Sequence, residues 1–199
     1  MSALAERLLA IDSLAHDGRG VARVDGKAVF VAGALPGERV RARAVKRHRR
    51  YDEAVAVEIL EPAAGRVQPR CAHFGVCGGC ALQHLGEGRQ LELKRAHVEE
   101  QLLRIGKVAP GEWLAPLGGS AWAYRRRARL GVKWVAKKGR VLVGFREKAT
   151  PYIAEIERCE VLAPPVGALL RPLATLIGRL SVRDRLPQIE VAAGEGATA

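Results

Sequence analysis

The sequence predicts an α+β protein built as two small domains. Three observations carry this. Short alternating or β-branched stretches, separated by tight-turn signals, fill residues 7–60. A cysteine-rich loop leads into a stretch of apolar residues at helical spacing. Beyond residue 124 a second alternating set is followed by a second helical one. The chain has 199 residues, enough for one domain or two small ones, and 48% apolar content, which excludes global disorder. No apolar run approaches the roughly 18 residues that span a bilayer. Glu6 and Arg7 interrupt Leu4–Ile11, so a secretory leader is not expected either.

Residues 7–60 divide into five strands. Leu8–Leu14 comes first, then the turn-rich His16-Asp17-Gly18-Arg19-Gly20. Val21–Val24 and Lys27–Val31 flank Asp25-Gly26, a two-residue hairpin signal of type I′ chemistry. Pro36-Gly37 supplies the next turn, proline fixing φ and glycine accepting positive φ. Glu38–Val45 then alternates, with Val40, Ala42 and Ala44 on one side and Arg39, Arg41 and Arg43 on the other. Tyr51–Leu60 repeats the pattern through Val55, Val57 and Ile59. Five short strands with tight turns suggest a small closed barrel of the OB type over residues 1–65.

A Pro/Gly-containing linker, Glu61–Arg70, opens the second domain, expected over residues 66–199. Leu91, Val98, Leu102 and Ile105 predict a helix over roughly 87–105, with Gly106 as its stop. Tyr124–Val135 alternates again, and Lys137-Lys138-Gly139 turns the chain into Arg140–Phe145. A further strand is expected over Tyr152–Ile156. Val166, Leu169, Leu170, Leu173, Leu176, Ile177 and Leu180 share one helical face, which Pro172 should kink or divide. Gln188–Ala192 begins another strand, and Gly194–Ala199 is of low complexity.

The four cysteines are spaced Cys71-x5-Cys77-x2-Cys80, with Cys159 after 78 intervening residues. Two disulfides would require an oxidising compartment, which nothing here suggests. A four-thiolate zinc site usually brings two paired knuckles. Three ligands on one loop and one remote suit an iron–sulfur cluster better, because its irons take thiolates from different directions. Gly75, Gly78 and Gly79 let that loop curl. Zinc remains the alternative. Four cysteines suffice without His73 or His84, and Phe74 is expected to shield the site.

The chain carries 33 Lys+Arg against 21 Asp+Glu, a formal charge of +12. Such a balance favours a polyanionic partner, most simply nucleic acid. The charge clusters. Arg41, Arg43, Lys46, Arg47, Arg49 and Arg50 form one basic edge on the barrel. Arg125, Arg127, Arg129 and Lys133, with Lys137 and Lys138 in the turn beyond, form another. Guanidinium forks bind phosphates bidentately, and Trp122 and Tyr124 could stack bases, whereas Trp134 falls on the apolar face. Catalytic chemistry is missing. There is no Walker loop and no Ser/His/Asp arrangement. Gly194-x-Gly196 is only a fragment of a nucleotide loop, so no catalytic or organic-cofactor residue is assigned.

Several segments together resemble the bacterial 23S rRNA uracil-C5 methyltransferases of the RlmD type. They are His16–Gly20, Val29–Val31 with Leu35–Glu38, Arg66–Cys71, Cys77-Gly78-Gly79-Cys80-Ala81-Leu82-Gln83-His84-Leu85, Tyr124–Leu130 and Gly144–Lys148. The resemblance covers nearly the whole chain. It implies a TRAM domain, an OB-like RNA-binding barrel, over about residues 1–65. It implies a central α+β domain holding a [4Fe–4S] cluster through Cys71, Cys77, Cys80 and Cys159, with the helix at 87–105 packing on a methyltransferase domain. That third domain is Rossmann-like and binds S-adenosylmethionine. There a cysteine attacks uracil C6, a methyl group goes to C5, and a base removes the C5 proton. This domain is expected to be absent from the 199 residues, which alone would be inactive until it is supplied in cis or by another chain; the alternative is a standalone RNA-binding iron–sulfur protein without transferase activity. The implied partner is 23S rRNA rather than DNA or a membrane, and the implied location is the cytoplasm. Related tRNA uracil-C5 enzymes are expected generally to lack this barrel and cluster.

Overall fold

The computed structural model describes residues 6–195. Most of the Gly194–Ala199 tail, Gly196 included, lies outside them. The chain divides into two compact units that interleave along the sequence. One takes the residues up to Gln68 together with Ala81–Pro116; the other takes Pro69–Cys80 and the residues from Leu117 onward. A contiguous boundary at residue 65 was expected. The segment after the cysteine loop instead stitches back onto the first unit. Val67 N–H donates to His84 O at 2.9 Å, Gly86 N–H to Gly65 O at 2.9 Å, and Arg66 bridges to Leu85. No helix among the described residues is long and apolar enough to cross a membrane.

The first unit holds six strands: β1 (Glu6–Ala10), β2 (Ser13–Leu14), β3 (Gly20–Val24), β4 (Lys27–Ala32), β5 (Arg39–Arg47) and β6 (Tyr51–Glu61). Their order is β1-β5-β6-β4-β3-β2, with β4 and β6 parallel and the other pairs antiparallel. The expected first strand is thus broken at Ile11 and Asp12. Its first half pairs with β5 and its second with β3, so one bent stretch of chain supplies both edges of the sheet. Asp25 and Gly26 have φ of 52° and 77°, as a type I′ turn demands. The enclosed core is Leu9, Ile11, Ala22, Val29, Val31, Ala34, Val40, Ala42 and Ala54.

One expected pattern is corrected here. Along β6 the inward residues are Ala54, Ala56 and Ile59, not Val55 and Val57. Opposite β5, Val40 pairs with Ile59, Arg41 with Glu58 and Ala42 with Ala56. The pairing skips Val57 and Leu60, and on β5 it skips Val45. These are bulge residues, and all three are exposed. Each bulge bends the strand and increases its twist.

The first unit also contains α1 (Glu87–Gln101), extended by a π-helical turn over Leu102–Gly106; Lys107, not a glycine, takes the left-handed cap at φ 55°. Gln90 fixes its start by donating to Leu82 O and Leu85 O. No residue of α1 is buried, and Leu91, Val98, Leu103 and Ile105 are exposed.

In the second unit, β7 (Arg127–Val135) is central in a sheet ordered β8-β7-β9, with β8 (Arg140–Gly144) and β9 (Gln188–Ala192) antiparallel to it. α2 (Leu170–Gly178) covers one face. Leu130, Val132, Val141, Val143, Leu162, Val166, Leu170 and Ile177 form the core. Pro172 does not kink a long helix. It falls in the first turn of α2, where its missing N–H removes no intrahelical bond. The break comes earlier, between a 3-10 turn at Val166–Ala168 and α2. The expected strand over Tyr152–Ile156 is also not regular. It is tied by Glu147 N–H to Tyr152 O and Ala154 N–H to Phe145 O, both 2.9 Å, while Ala154 and Ile156 enter the core.

Candidate functional site

All four cysteines lie in the second unit, half-buried, and none is in a disulfide. The first three come from a loop held by short-range bonds. Phe74 N–H donates to Cys71 O at 3.1 Å, and Cys77 N–H to His73 O at 2.9 Å. The loop is anchored to the chain beyond β8, where Gly78 N–H donates to Arg146 O at 2.8 Å and Lys148 N–H to Val76 O at 2.9 Å. Cys159 is set by its own N–H, which donates to Gly167 O at 2.9 Å. Cys77 and Cys159 both pack against the core of the unit.

These contacts bring the thiols within electrostatic reach of one another. Burial pushes Cys77 and Cys159 above the ordinary thiol range. Nearby thiols add to this: Cys159, Cys80 and Cys71 at Cys77, and Cys80 and Cys71 at Cys159. Backbone amides pull the other way. Gly79 N–H donates to Cys77 Sγ at 3.4 Å, and the amides of Val161 and Leu162 donate to Cys159. Amides aimed at sulfur stabilise thiolate, the form that binds metal. Among the described residues, no group of three or more His, Cys, Asp or Glu side chains is placed to hold a metal ion.

Three glycines explain how the backbone comes this close. A Cβ on Gly78 would meet Arg146 O at 2.9 Å, and one on Gly79 would meet the Phe145 ring at 3.2 Å. A Cβ on Gly167 would strike Cys159 O at 2.5 Å. Gly167 and the Val161 and Leu162 amides were not found by sequence reasoning, because nothing local in the sequence marks them. His73 accepts a long bond from Glu157 N–H, 3.5 Å, while His84 is buried in the other unit. Phe74 lies under the Lys148 ammonium, 4.5 Å from its ring centre.

The basic residues fall into distinct groups. Arg43, Lys46 and Arg47 are exposed on β5, and Arg49 and Arg50 are exposed in the turn beyond it. Arg41 is paired across the sheet with Glu58 at 2.9 Å. In the second unit the expected row of three arginines is not formed. Arg125 precedes β7, donates its N–H to Val161 O, and turns its guanidinium over Phe145, 5.7 Å from the ring centre. Ala123 at φ 56° breaks the alternation just before it. Arg127 is exposed on β7, and Arg129 pairs with Glu190 at 2.8 Å. Lys137 and Lys138 are exposed, Lys138 bonding to Glu155. Arg129, Lys133 and Lys138 line an open groove of about 930 Å³ along the sheet. Of the aromatics expected to stack bases, Trp122 is covered by Arg70, and Tyr124 is exposed. Trp134 packs on the core under Arg183, as its position on the apolar face implied.

A second aromatic group, not foreseen, lies on the barrel. The Tyr51 ring stacks on His48 at 4.3 Å and meets Phe30 edge-on at 5.5 Å, and the Arg19 guanidinium lies 4.8 Å over Phe30. One signal was available: Phe30 sits between the inward Val29 and Val31, so it must face outward.

Residues 5–57 match the TRAM domain family. Over 189 residues, 94% of its length, the chain is 57% identical to the 23S rRNA (uracil(1939)-C(5))-methyltransferase RlmD of Nitrosococcus oceani. It is 56% identical over 187 residues to the protein of that name from Alkalilimnicola ehrlichii, and 50% identical over 196 residues to that from Bordetella avium. The chain spans about 42% of the length of the first two and 41% of the third. In structure it resembles the Pyrococcus abyssi tRNA (uracil-54, C5)-methyltransferase, solved with S-adenosyl-L-homocysteine. The TM-score is 0.61 at 22% identity, covering 96% of this chain and 43% of that one. At that identity the likeness is one of fold.

Proposed function

Along nearly its whole length this chain is similar to part of the RlmD-type 23S rRNA uracil-C5 methyltransferases, and from that premise we propose that it is the RNA-binding and iron–sulfur portion of such an enzyme. The whole enzyme would transfer a methyl group from S-adenosylmethionine to C5 of one uridine in 23S rRNA, the one its relatives' names place at 1939. What carries the reading is that the 57% identity runs through both units, not through the TRAM match alone. The barrel, read as OB-like, and the basic residues of both units would hold the RNA. The methyl-donor site and the attacking cysteine would lie in further sequence, in contact with the exposed apolar side chains of α1. The enzyme would work in the cytoplasm.

Cys71, Cys77, Cys80 and Cys159 would hold a [4Fe–4S] cluster. Their fit is supported by amide bonds to Cys77 and Cys159 and by the glycines that clear the backbone. A cluster takes one thiolate at each iron, and the four cysteines supply that number from one loop and one remote position. When bound, it supplies a rigid four-point link between the loop and the chain around Cys159.

The test has two arms. Protein purified without oxygen should be brown and contain about four irons and four sulfides per chain; stoichiometric zinc without iron would overturn the cluster. The chain should bind 23S rRNA fragments yet transfer no methyl group alone. Transfer by the purified 199 residues would show that the division of labour proposed here is wrong.

A further inference from the structure

We propose that the outer face of β3, β4 and β6 is a stacking site for unpaired RNA bases, built on Tyr51, Phe30 and His48 and rimmed by arginines. This rests on the RNA-binding reading above and gives it a place and a mode.

The pleat puts these residues on one surface. In the parallel pair β4–β6, Val31 lies opposite Ala54, and both are core residues. Phe30 opposite Glu53, and Ala28 opposite Tyr51, therefore face outward. Arg23 lies opposite Ala28 on β3, and Arg43 lies opposite Val55 on β5, so both border the same face. Arg19 covers Phe30 from one side. The exposed Arg47, Arg49 and Arg50 flank His48, which already stacks on Tyr51 with an interplanar angle of 22°.

Packing alone does not account for this group. The barrel core is on the other face, so the rings cover only the outside of the sheet. Sequence-tolerant binding of single strands combines aromatic faces with a positively charged track, and both are here. Two acids lie near the rings: Asp17 holds the Arg19 guanidinium at 2.8 Å, and Glu53 lies 3.6 Å from Arg19 and 3.7 Å from His48. Arg19 is thus engaged by acids, and the rim charge rests on the exposed Arg23, Arg43, Arg47, Arg49 and Arg50. His48 and Tyr51 form a ready-made stacked pair that a base can extend, with Phe30 set edge-on beside it, and the arginines at the rim suit the phosphates on either side.

The probe is a single-stranded, uridine-rich oligonucleotide of about 12 nucleotides, within the roughly 4–16 that one OB-type barrel covers. Tyr51→Leu and Phe30→Leu in the full chain should weaken its binding by roughly 5- to 100-fold per base unstacked, with the salt dependence unchanged. Tyr51→Phe, which keeps the ring, should bind as wild type. A duplex RNA of equal length should not distinguish the variants. Folded leucine variants that bind the single strand normally would overturn this site and leave the broader reading intact. No RNA binding by the wild-type chain would overturn both. Should the leucine variants fail to fold, crosslinking of wild-type protein to 4-thiouridine RNA decides. Crosslinks at Tyr51, Phe30 or His48 are expected, and crosslinks confined to other residues overturn the site.

Discussion

Glu38 and Arg66 form a two-pronged ion pair whose carboxylate is fully buried. Arg66 Nε reaches Oε1 at 2.5 Å, and its Nη2 reaches Oε2 at 2.8 Å. The same carboxylate accepts from Leu35 N–H at 2.8 Å and Ala63 N–H at 3.1 Å, while Arg66 also donates to Gly33 O at 2.7 Å. The turn before β5 and the linker after β6 are thereby tied together. Two of the segments that carry the family resemblance, Leu35–Glu38 and Arg66–Cys71, thus meet at one clasp, and its role is to hold the barrel's exit.

Removing one partner should be costly. Glu38→Gln or Arg66→Met would strand a buried charge or its donors, a loss of about 3–5 kcal/mol. Urea unfolding of the first unit reads it directly. The double variant should lose less than either single change, since no uncompensated charge remains. Additive losses would mean that the two side chains act independently.

The clasp also predicts acid sensitivity. Burial alone would raise the Glu38 carboxyl, but the Arg66 hydrogen bonds and the Leu35 and Ala63 amides outweigh it and hold it below the ordinary glutamate range. A carboxyl lowered by folding stabilises above its unfolded value, and that contribution is lost as pH falls through the lowered one. Wild type should therefore lose stability in that acidic window, and Glu38→Gln should lose less of it there. Parallel pH curves for the two proteins would contradict this.

Iron content should depend on a residue that binds no iron. Gly167→Ala would push a methyl group against Cys159 O, now 2.5 Å from where its Cβ would stand. Cys159 should be displaced, and iron per chain should fall toward that of Cys159→Ser. A fully loaded Gly167→Ala protein would show that this backbone contact yields without moving the thiol.

Salt dependence should separate the arginines by their partners. Each phosphate neutralised on a single strand releases about 0.7 counterions. Replacing the exposed Lys46, Arg47, Arg49 and Arg50 with alanine should lower the slope of log affinity against log salt. Arg129→Ala should lower it less, because Glu190 already engages that guanidinium at 2.8 Å. Titrations at several salt concentrations give both slopes.

Much of the fold was legible because most of it is local. Asp25-Gly26, Pro36-Gly37 and the alternation of Arg39–Ala44 each fix a turn or a face within a few residues. The misreadings share another origin. Val57 and Leu60 looked like ordinary members of an alternating strand, but their outward positions come from the register with β5, which lies elsewhere in the sequence. Arg125 looked like a neighbour of Arg127 until Ala123 and the bridge to Leu162 turned it aside. At the cysteines, spacing showed which residues could meet. It did not show the amides and the Gly167 contact that support them, because those depend on a backbone crossing over Cys159.

The interleaving of the two units sets an order on synthesis. Cys71, Cys77 and Cys80 belong with Cys159, yet the segment Ala81–Pro116 between them belongs to the barrel unit. The 79 residues from Ala81 to Cys159 must be translated before the fourth thiol exists. At roughly 5–20 residues per second, that is a delay of about 4–16 s. During it the first unit can already fold, whereas three cysteines wait on an unfinished loop. The nascent chain is most exposed to oxidation and to stray metal in that interval, and slow codons within residues 117–159 would lengthen it.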